Sequence, residues 1–348
     1  MIMKAIVKTQ KGEGFMELIN RNIPVISDDE VLIKVSYAGI CGTDIHIKHD
    51  QFPYWPPVIM GHEFSGKVVE IGRNVTDYAI GDNVVGEPHN IACGKCHLCR
   101  NGKIQLCEHK RSIGWGIDGV FAEYVKMPEK LLHKIPEGVT LKTAAMAEPC
   151  AIVAHQVLER TNITPGDYVV IMGMGPIAII AAQMARVAGA GRVVMCGCTS
   201  DIDVRLKIAE KTGCLDKFIN VQEDNAVDLI MSETNGKGAD IVIEASGAAS
   251  AIKSAIFALK KTGTFCGIGM TNNEEILVPW NTAMRKAIDL KFNMSSSYNG
   301  WNIALNLMAA KKLVLGDIIK VMPLDDFEKA FTLLETGKAI KILFDCNI

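Results

Sequence analysis

The sequence predicts an α/β protein of two domains, the first β-rich and irregular, the second a doubly wound parallel sheet. Three observations carry this expectation. From about Thr164 onward, short apolar runs alternate with helix-like stretches across short links, the pattern of a parallel sheet with right-handed crossovers. Before that point the chain reads as short β-like runs cut by glycines. Its 348 residues suit about two domains at roughly 150 residues each.

In chain order, Val31–Tyr37 alternates with period two, as a half-buried strand does. Val68–Ile71, Asn83–Val85 and Phe121–Val125 are further strand candidates. In the second half Tyr168–Met172, Arg192–Cys196, Lys217–Val221, Ala239–Glu244 and Gly263–Ile268 read as strands. Between them Pro176–Ala188, Val204–Thr212, Asn225–Thr234 and Ser250–Leu259 read as helices. Leu290–Met294 fits one more strand, Trp301–Lys311 and Leu324–Glu335 fit helices, and Ala339–Asp345 a terminal strand. The expected boundaries are 1–155 for the β-rich domain, 156–290 for the parallel sheet, and 291–348 for a last strand and a return to the first domain.

Composition narrows the function. Hydrophobic residues at 49% and charged residues at 22% are ordinary for a globular chain and exclude disorder and low complexity. Basic and acidic residues number 37 and 39, a formal charge of −2, which argues against nucleic acid as a partner. No run of 18 apolar residues occurs, so no membrane span is expected. The opening MIMKAIVKTQ lacks a signal-peptide apolar region, and the expected location is cytoplasmic. In that compartment disulfides are rare, so the clustering of four of the 11 cysteines in a short lobe, about residues 90–110, points to metal.

That lobe reads C-x2-C-x2-C-x7-C: Cys93, Cys96, Cys99 and Cys107. Four thiolates at this spacing can close a tetrahedral shell around zinc, with Gly94 and Gly102 easing the turns. An iron–sulfur cluster is the rival reading, and four unrelated thiols the plain one. A closed shell leaves no place for substrate, so this zinc is structural. A second constellation is dispersed: Cys41, His62 with Glu63, and Glu148. A thiolate, an imidazole and a carboxylate with one open position is how catalytic zinc is built. Spacing alone does not bring these residues together.

Gly61-His-Glu-x2-Gly66-x5-Gly72-x2-Val75, Cys41-Gly-Thr-Asp, the four-cysteine lobe and a later glycine turn occur in the order of the medium-chain zinc alcohol and polyol dehydrogenases, and the chain resembles that family over essentially its whole length. The resemblance implies a GroES-like catalytic domain joined to a Rossmann domain with the active site between them. It implies two zincs per chain and NAD or NADP. Glu148-Pro149 is similar to the polyol branch, which includes sorbitol and threonine dehydrogenases. By the resemblance Cys41 and His62 bind the catalytic zinc. Of Glu63 and Glu148, one ligates and the other holds a water on the metal; which does which stays open.

The glycine turn is Gly173-Met-Gly175-Pro176-Ile177-Ala178, a G-x-G-x-x-A variant after a strand and opening a helix. Gly173 permits the turn, Gly175 admits a pyrophosphate, and Ala178 allows close packing. The second strand departs from the NAD pattern. It ends in Cys196-Gly197-Cys198-Thr199-Ser200, without the acid that binds the ribose diol. Thr199 and Ser200 can donate to a 2′-phosphate and Arg205 can add charge; Asp201 or Asp203 displaced onto the loop is the NAD alternative. A carboxylate restored at Gly197 is expected to favour NAD. The resemblance places Glu244, Gly267, Ile268 and Gly269 at strand ends along the cofactor.

The same resemblance implies a proton path from Thr43 through the cofactor ribose to His46. It implies a small polyol, alcohol or sugar-alcohol phosphate as substrate and a homodimer or homotetramer as assembly. One departure weakens a sorbitol reading: Met294–Tyr298 carries three serines and no arginine. Lys48, His49, Asp50, Gln51, Trp55 and Trp115 are candidate substrate contacts, and His155 a structural histidine. The alternatives are a non-catalytic zinc and nucleotide-binding redox sensor, and a quinone reductase-like enzyme of the same superfamily.

Overall fold

The computed structural model describes residues 1–271 and 273–347. Two compact units emerge: Met1–Pro149 with Ile319–Ile348, and Cys150–Ile318. Among the described residues no helix is long and apolar enough to cross a membrane.

The first unit opens with β1 (Ile2–Lys8), β2 (Met16–Asn22), β3 (Glu30–Gly39), β4 (Val58–Ile59), β5 (Glu63–Ile71), β6 (Asn83–Gly86), β7 (Tyr124–Pro128) and β8 (Leu132–Lys134). A small sheet has the order β2-β1-β4. β3 is the most paired strand of the larger sheet, antiparallel to both β5 and β7. This is why it departs from simple half-burial: Leu32 and Ser36 are buried as well as Val31, Ile33 and Val35, and only Lys34 is exposed. Ile33, Val35, Phe64, Val68, Phe121 and Met127 share one apolar core. Each such side chain contributes about 1.5–3 kcal/mol on burial.

The second unit holds β9 (Tyr168–Met172), β10 (Arg192–Gly197), β11 (Lys217–Asn220), β12 (Ala239–Glu244), β13 (Leu259–Gly267) and β14 (Asp289–Phe292). All pairs are parallel, in the order β11-β10-β9-β12-β13-β14. The direction of winding reverses beside β9, and such a reversal opens a crevice at the carboxyl ends of the strands. The helix Pro176–Val187 packs its Ala178, Ile179, Ala181 and Ala182 fully inside. The stretch expected as one helix from Val204 begins instead with a wide-pitched turn, Ile202–Leu206, and becomes α-helical over Lys207–Lys211.

The chain returns to the first unit with β15 (Ile319–Pro323) and β16 (Lys341–Asp345). β16 pairs with β3, and the sheet is completed in the order β15-β16-β3-β5-β6-β8. Its register positions the site. Gly39, the last residue of β3, lies opposite both Glu63 of β5 and Leu343 of β16. Cys41 beyond β3, His62 before β5 and Lys341 at the start of β16 are therefore delivered to one end of three adjacent strands.

Glycines let backbones touch there. A Cβ on Gly39 would stand 2.4 Å from Glu63 Oε2. Gly119 lies against Gly61, the residue before His62; a Cβ on it would be 2.1 Å from the Gly61 carbonyl oxygen and 2.7 Å from that of Met60. Backbone cannot yield as a flexible side chain does. Gly119→Ala is expected to destabilise the protein by about 3 kcal/mol or more, read as a lower denaturation midpoint with an unchanged slope in urea.

Candidate active site and metal centres

Cys41 is the N-cap of the helix Gly42–Lys48. Its N–H donates to Asp44 Oδ2 at 2.8 Å, the cap-to-third-residue spacing of a capping box. Asp44 is fully buried, and its other oxygen, Oδ1, faces His62 Nδ1 at 3.9 Å without a hydrogen bond. The His62 ring packs edge-on against Trp115, centroids 5.0 Å apart at 87°. Ligand atoms of Cys41, His62 and Glu63 lie within 4.8 Å of one another. Thr43 Oγ1 is 3.9 Å from Cys41 Sγ. His46 is half-buried, its Nδ1 3.4 Å from Gln51 Oε1.

The two glutamates are differently held. Glu63 forms a buried ion pair with Lys341. Glu148, in the first turn of the helix Ala147–Val153, is buried with Oε2 unpartnered. Burial pushes its carboxyl up to about 7, with His62 opposing and Glu63 reinforcing the shift. Burial also raises the Cys41 thiol, Glu63 adding to the effect, and raises Asp44. Three carboxylates and a thiol thus converge on one ammonium and one imidazole. Uncompensated buried charge is costly, and a divalent cation held by the Cys41, His62 and Glu63 donors, which lie within 4.8 Å of one another, would offset it. The donor set fits zinc.

The four-cysteine lobe is a second, self-contained set. Its sulfurs lie within 4.8 Å of one another, and all four are free thiols. Local turns aim backbone amides at sulfur. Cys96 N–H points to Cys93 Sγ, Cys99 N–H to Cys96 Sγ and Cys93 N–H to Cys107 Sγ, each at 3.4 Å. Gly94 and Gly102 supply left-handed φ angles of 69° and 70°. Amide donors hold Cys93 down to about 6, while burial and neighbouring cysteines push Cys99 up to about 12. Four sulfurs this close cannot all ionise without a cation between them.

In the second unit a cavity of about 500 Å³ opens at the ends of β9, β10 and β12, lined by Gly173, Gly175, Gly197, Cys198, Ser200 and Arg205 among others. Gly173 has φ 114°. Nothing lies within 4 Å of the place a Gly175 Cβ would take, so the backbone N-cap of the helix opened by Pro176 and Ile177 is free for close approach. Glu244 is turned inward: its carboxylate accepts N–H bonds from Ser246 and Gly247 at 2.9 and 3.0 Å. Ile268 and Gly269 donate to its carbonyl at 2.8 and 2.9 Å. The Gly269 backbone can fit there only without a Cβ, which would be 2.6 Å from Glu244 Oε2. Gly267 ends β13 in the same corner.

The tip of β10 departs from two expectations. Asp201 is buried; Oδ2 accepts the Cys198 N–H and Oδ1 the Arg205 guanidinium, each at 2.8 Å. It caps the turn. Asp203 is exposed beside Lys207. Thr199 is engaged by β11, donating its N–H to Gln222 and accepting from Asn220. Gly197 has no room: a Cβ would meet Met174 Cγ at 2.5 Å, Asp201 Oδ2 at 2.8 Å and Phe218 at 2.9 Å. A carboxylate there would disrupt the turn before it reached a ribose, so position 197 does not provide the cofactor test expected of it.

Other candidates are committed elsewhere. Lys48 and His49 pair with Glu335 at 2.8 and 2.7 Å. Asp50 accepts the Tyr54 hydroxyl at 2.6 Å. Trp55 is half-exposed under the Arg111 guanidinium. His155 pairs with Glu159, whose carboxylate also takes Ser297 and Asn299. Ser297 caps the helix Tyr298–Ala309, and Ser296 accepts the Trp301 indole N–H. The sequence reading missed Asp44 and Lys341 as site residues. The C-x-x-D capping spacing signals the first; a lysine within the apolar strand IKILF is the only trace of the second.

Residues 27–137 match the alcohol dehydrogenase GroES-like domain and residues 176–310 the zinc-binding dehydrogenase domain. The chain is 39% identical to sorbitol dehydrogenase of Halalkalibacterium halodurans over 98% of each chain. It is 34% identical to D-arabitol-phosphate dehydrogenase of Enterococcus avium, over 99% of this chain and 98% of that one. A structure described as a zinc-binding dehydrogenase from Sinorhizobium meliloti 1021 bound to NADP superposes with a TM-score of 0.92 at 31% identity, over 99% of each chain. The chain therefore belongs to the zinc-binding, GroES-like alcohol dehydrogenases. It is an oxidoreductase of alcohol substrates.

The two metal sets separate in their expected consequences. Cys99→Ser should remove about one zinc per chain and lower Tm. Cys41→Ala should also remove about one zinc, leave Tm within a few degrees and abolish turnover. Metal analysis, thermal melts and an alcohol-dependent NAD(P) reduction assay check both; full activity in Cys41→Ala would overturn the open-site assignment.

Proposed function

We propose that this enzyme moves hydride between a secondary alcohol of a polyol or sugar-alcohol phosphate and NAD(P), with Cys41, His62 and Glu63 holding the catalytic zinc. The convergence of half-buried Cys41 with buried His62 and Glu63, their ligand atoms within 4.8 Å of one another, is the observation that carries the reading. Zinc held there supplies Lewis acidity to the substrate oxygen. The chain's own groups do the rest. Asp44 fixes the Cys41 backbone and faces His62, Trp115 holds the His62 ring, and the sheet register sets Glu63. The Thr43 hydroxyl, beside Cys41 Sγ, would take the alcohol proton as it gives up its own, the released proton leaving for solvent by way of half-buried His46. NAD(P), when bound, would accept hydride from the alcohol carbon, so that the carbinol becomes a carbonyl with one proton released. Named relatives act on sorbitol and D-arabitol phosphate, and this supports the substrate class. A panel of polyols, polyol phosphates and L-threonine, each with NAD and NADP, tests it; turnover of none of them would sink the substrate reading.

Glu148 is read as the carboxylate that receives a proton or hydrogen bond at the open side of the metal, since its Oε2 is buried and unpartnered. Glu148→Gln should cut kcat by at least ~10-fold while retaining the zinc. Near-normal kcat would reduce Glu148 to a structural acid and leave the open side to Thr43.

The cofactor reading follows from Asp201. Asp201 lines the cavity together with Ser200 and Arg205, but its carboxylate is engaged by the Cys198 N–H and the Arg205 guanidinium, which weakens its repulsion of a 2′-phosphate. NADP should therefore serve within ~100-fold of the better cofactor in kcat/KM, about 2.7 kcal/mol. Arg205→Met should raise KM for NADP by at least ~10-fold and KM for NAD by less than ~3-fold. A wild-type preference for NAD beyond ~1000-fold would overturn this.

A further inference from the structure

Lys341 is a lysine with 3% exposure inside the first unit. Its ammonium contacts Glu63 Oε2 and donates to the Ile40 carbonyl at 2.8 Å. Ile40 immediately precedes Cys41, and Glu63 immediately follows His62. One cation therefore ties together the two strand ends that carry the thiol and the imidazole. The corner is closed by the Ile40 N–H, which donates to the Ile342 carbonyl at 3.0 Å. Nothing about β16 as a strand calls for an ammonium here. The neighbours Ile342, Leu343 and Phe344 are fully buried apolar residues, and a methionine would fill similar volume without desolvating a charge.

We propose that Lys341 is a positioning residue of the open metal site, a resident counter-cation that fixes the Glu63 carboxylate and the Ile40–Cys41 backbone and keeps the donor set assembled when the metal is absent. This rests on the assignment of Cys41 and His62 to the catalytic zinc. Without metal, Lys341 is, among the described residues, the buried ammonium that offsets Glu63, Glu148 and Asp44. With metal, the load is shared. The consequence is a stability effect that depends on metal, which a lysine serving only to pack β16 would not produce.

The experiment compares wild type, Lys341→Met and Lys341→Arg, each fully zinc-loaded and after removal of the more labile zinc. Zinc per chain, Tm, kcat and KM are measured. Lys341→Met is expected to lose at least ~5 °C in the metal-depleted form and less than half of that when loaded. Its kcat should fall at least ~10-fold with KM for the alcohol moving less than ~3-fold, and Lys341→Arg should recover both to within ~3-fold. Should Lys341→Met fail to fold, Glu63→Gln combined with Lys341→Met removes both charges at once. That double variant is expected to regain the metal-depleted Tm but not kcat. An equal Tm loss in both metal states, an unchanged kcat in Lys341→Met, or a double variant that also fails to fold overturns the proposal. Wild type retaining only the one zinc of the cysteine lobe would instead overturn the underlying site assignment.

Discussion

The structure of the first unit is organised around one constraint: the carboxylates of Asp44, Glu63 and Glu148 are buried beside the Cys41 thiol, with the Lys341 ammonium paired to Glu63 and the His62 imidazole facing Asp44. Taking a carboxylate out of water costs several kcal/mol per ion even after relaxation. No amount of apolar packing nearby offsets that for three of them. The neighbouring features follow as consequences. Gly39 lacks a side chain because Glu63 occupies the space, and Cys41 caps a helix because Asp44 must have a donor for one oxygen.

The two metal sets solve the same charge problem at different scales. The cysteine lobe does so locally, since its four thiols lie on one short loop whose amides already point at sulfur. It requires nothing from the rest of the fold and offers no open side. The open set needs β3, β5, the helix Ala147–Val153 that carries Glu148, and a strand from the far end of the chain. Its geometry is thus a property of sheet register, which a one-residue slip would destroy.

That difference in scale explains what could be read from the sequence. The cysteine lobe, the strand–glycine turn–helix at Gly173 and the alternation of the second unit are local patterns, and each was legible. Cys41, His62 and the glutamates were legible only through family resemblance, because pairings between residues far apart leave no periodicity behind. Lys341 was illegible for the same reason in stronger form: a lysine in a short strand reads as exposed until β16 is placed against β3. The serines at 295–297 are a different case. They replace an expected arginine in the sequence, but two of them serve the start of the helix Tyr298–Ala309.

At the tip of β10 local chemistry decides the outcome. An aspartate near the end of that strand has two competing uses, a ribose diol in the cavity or the unpaired backbone amides of the turn. Asp201 takes the second, because Cys198 N–H and Arg205 both lie at 2.8 Å and its own carboxylate is buried. A carboxylate with two charge-assisted partners already in place gains little by leaving them for an exposed hydroxyl pair. The same ion pair holds Arg205 against the cavity wall. The acid that lines the cavity is therefore also the group that holds a cation beside it. Any substitution meant to change the cofactor preference at this turn must first leave its own hydrogen bonds intact.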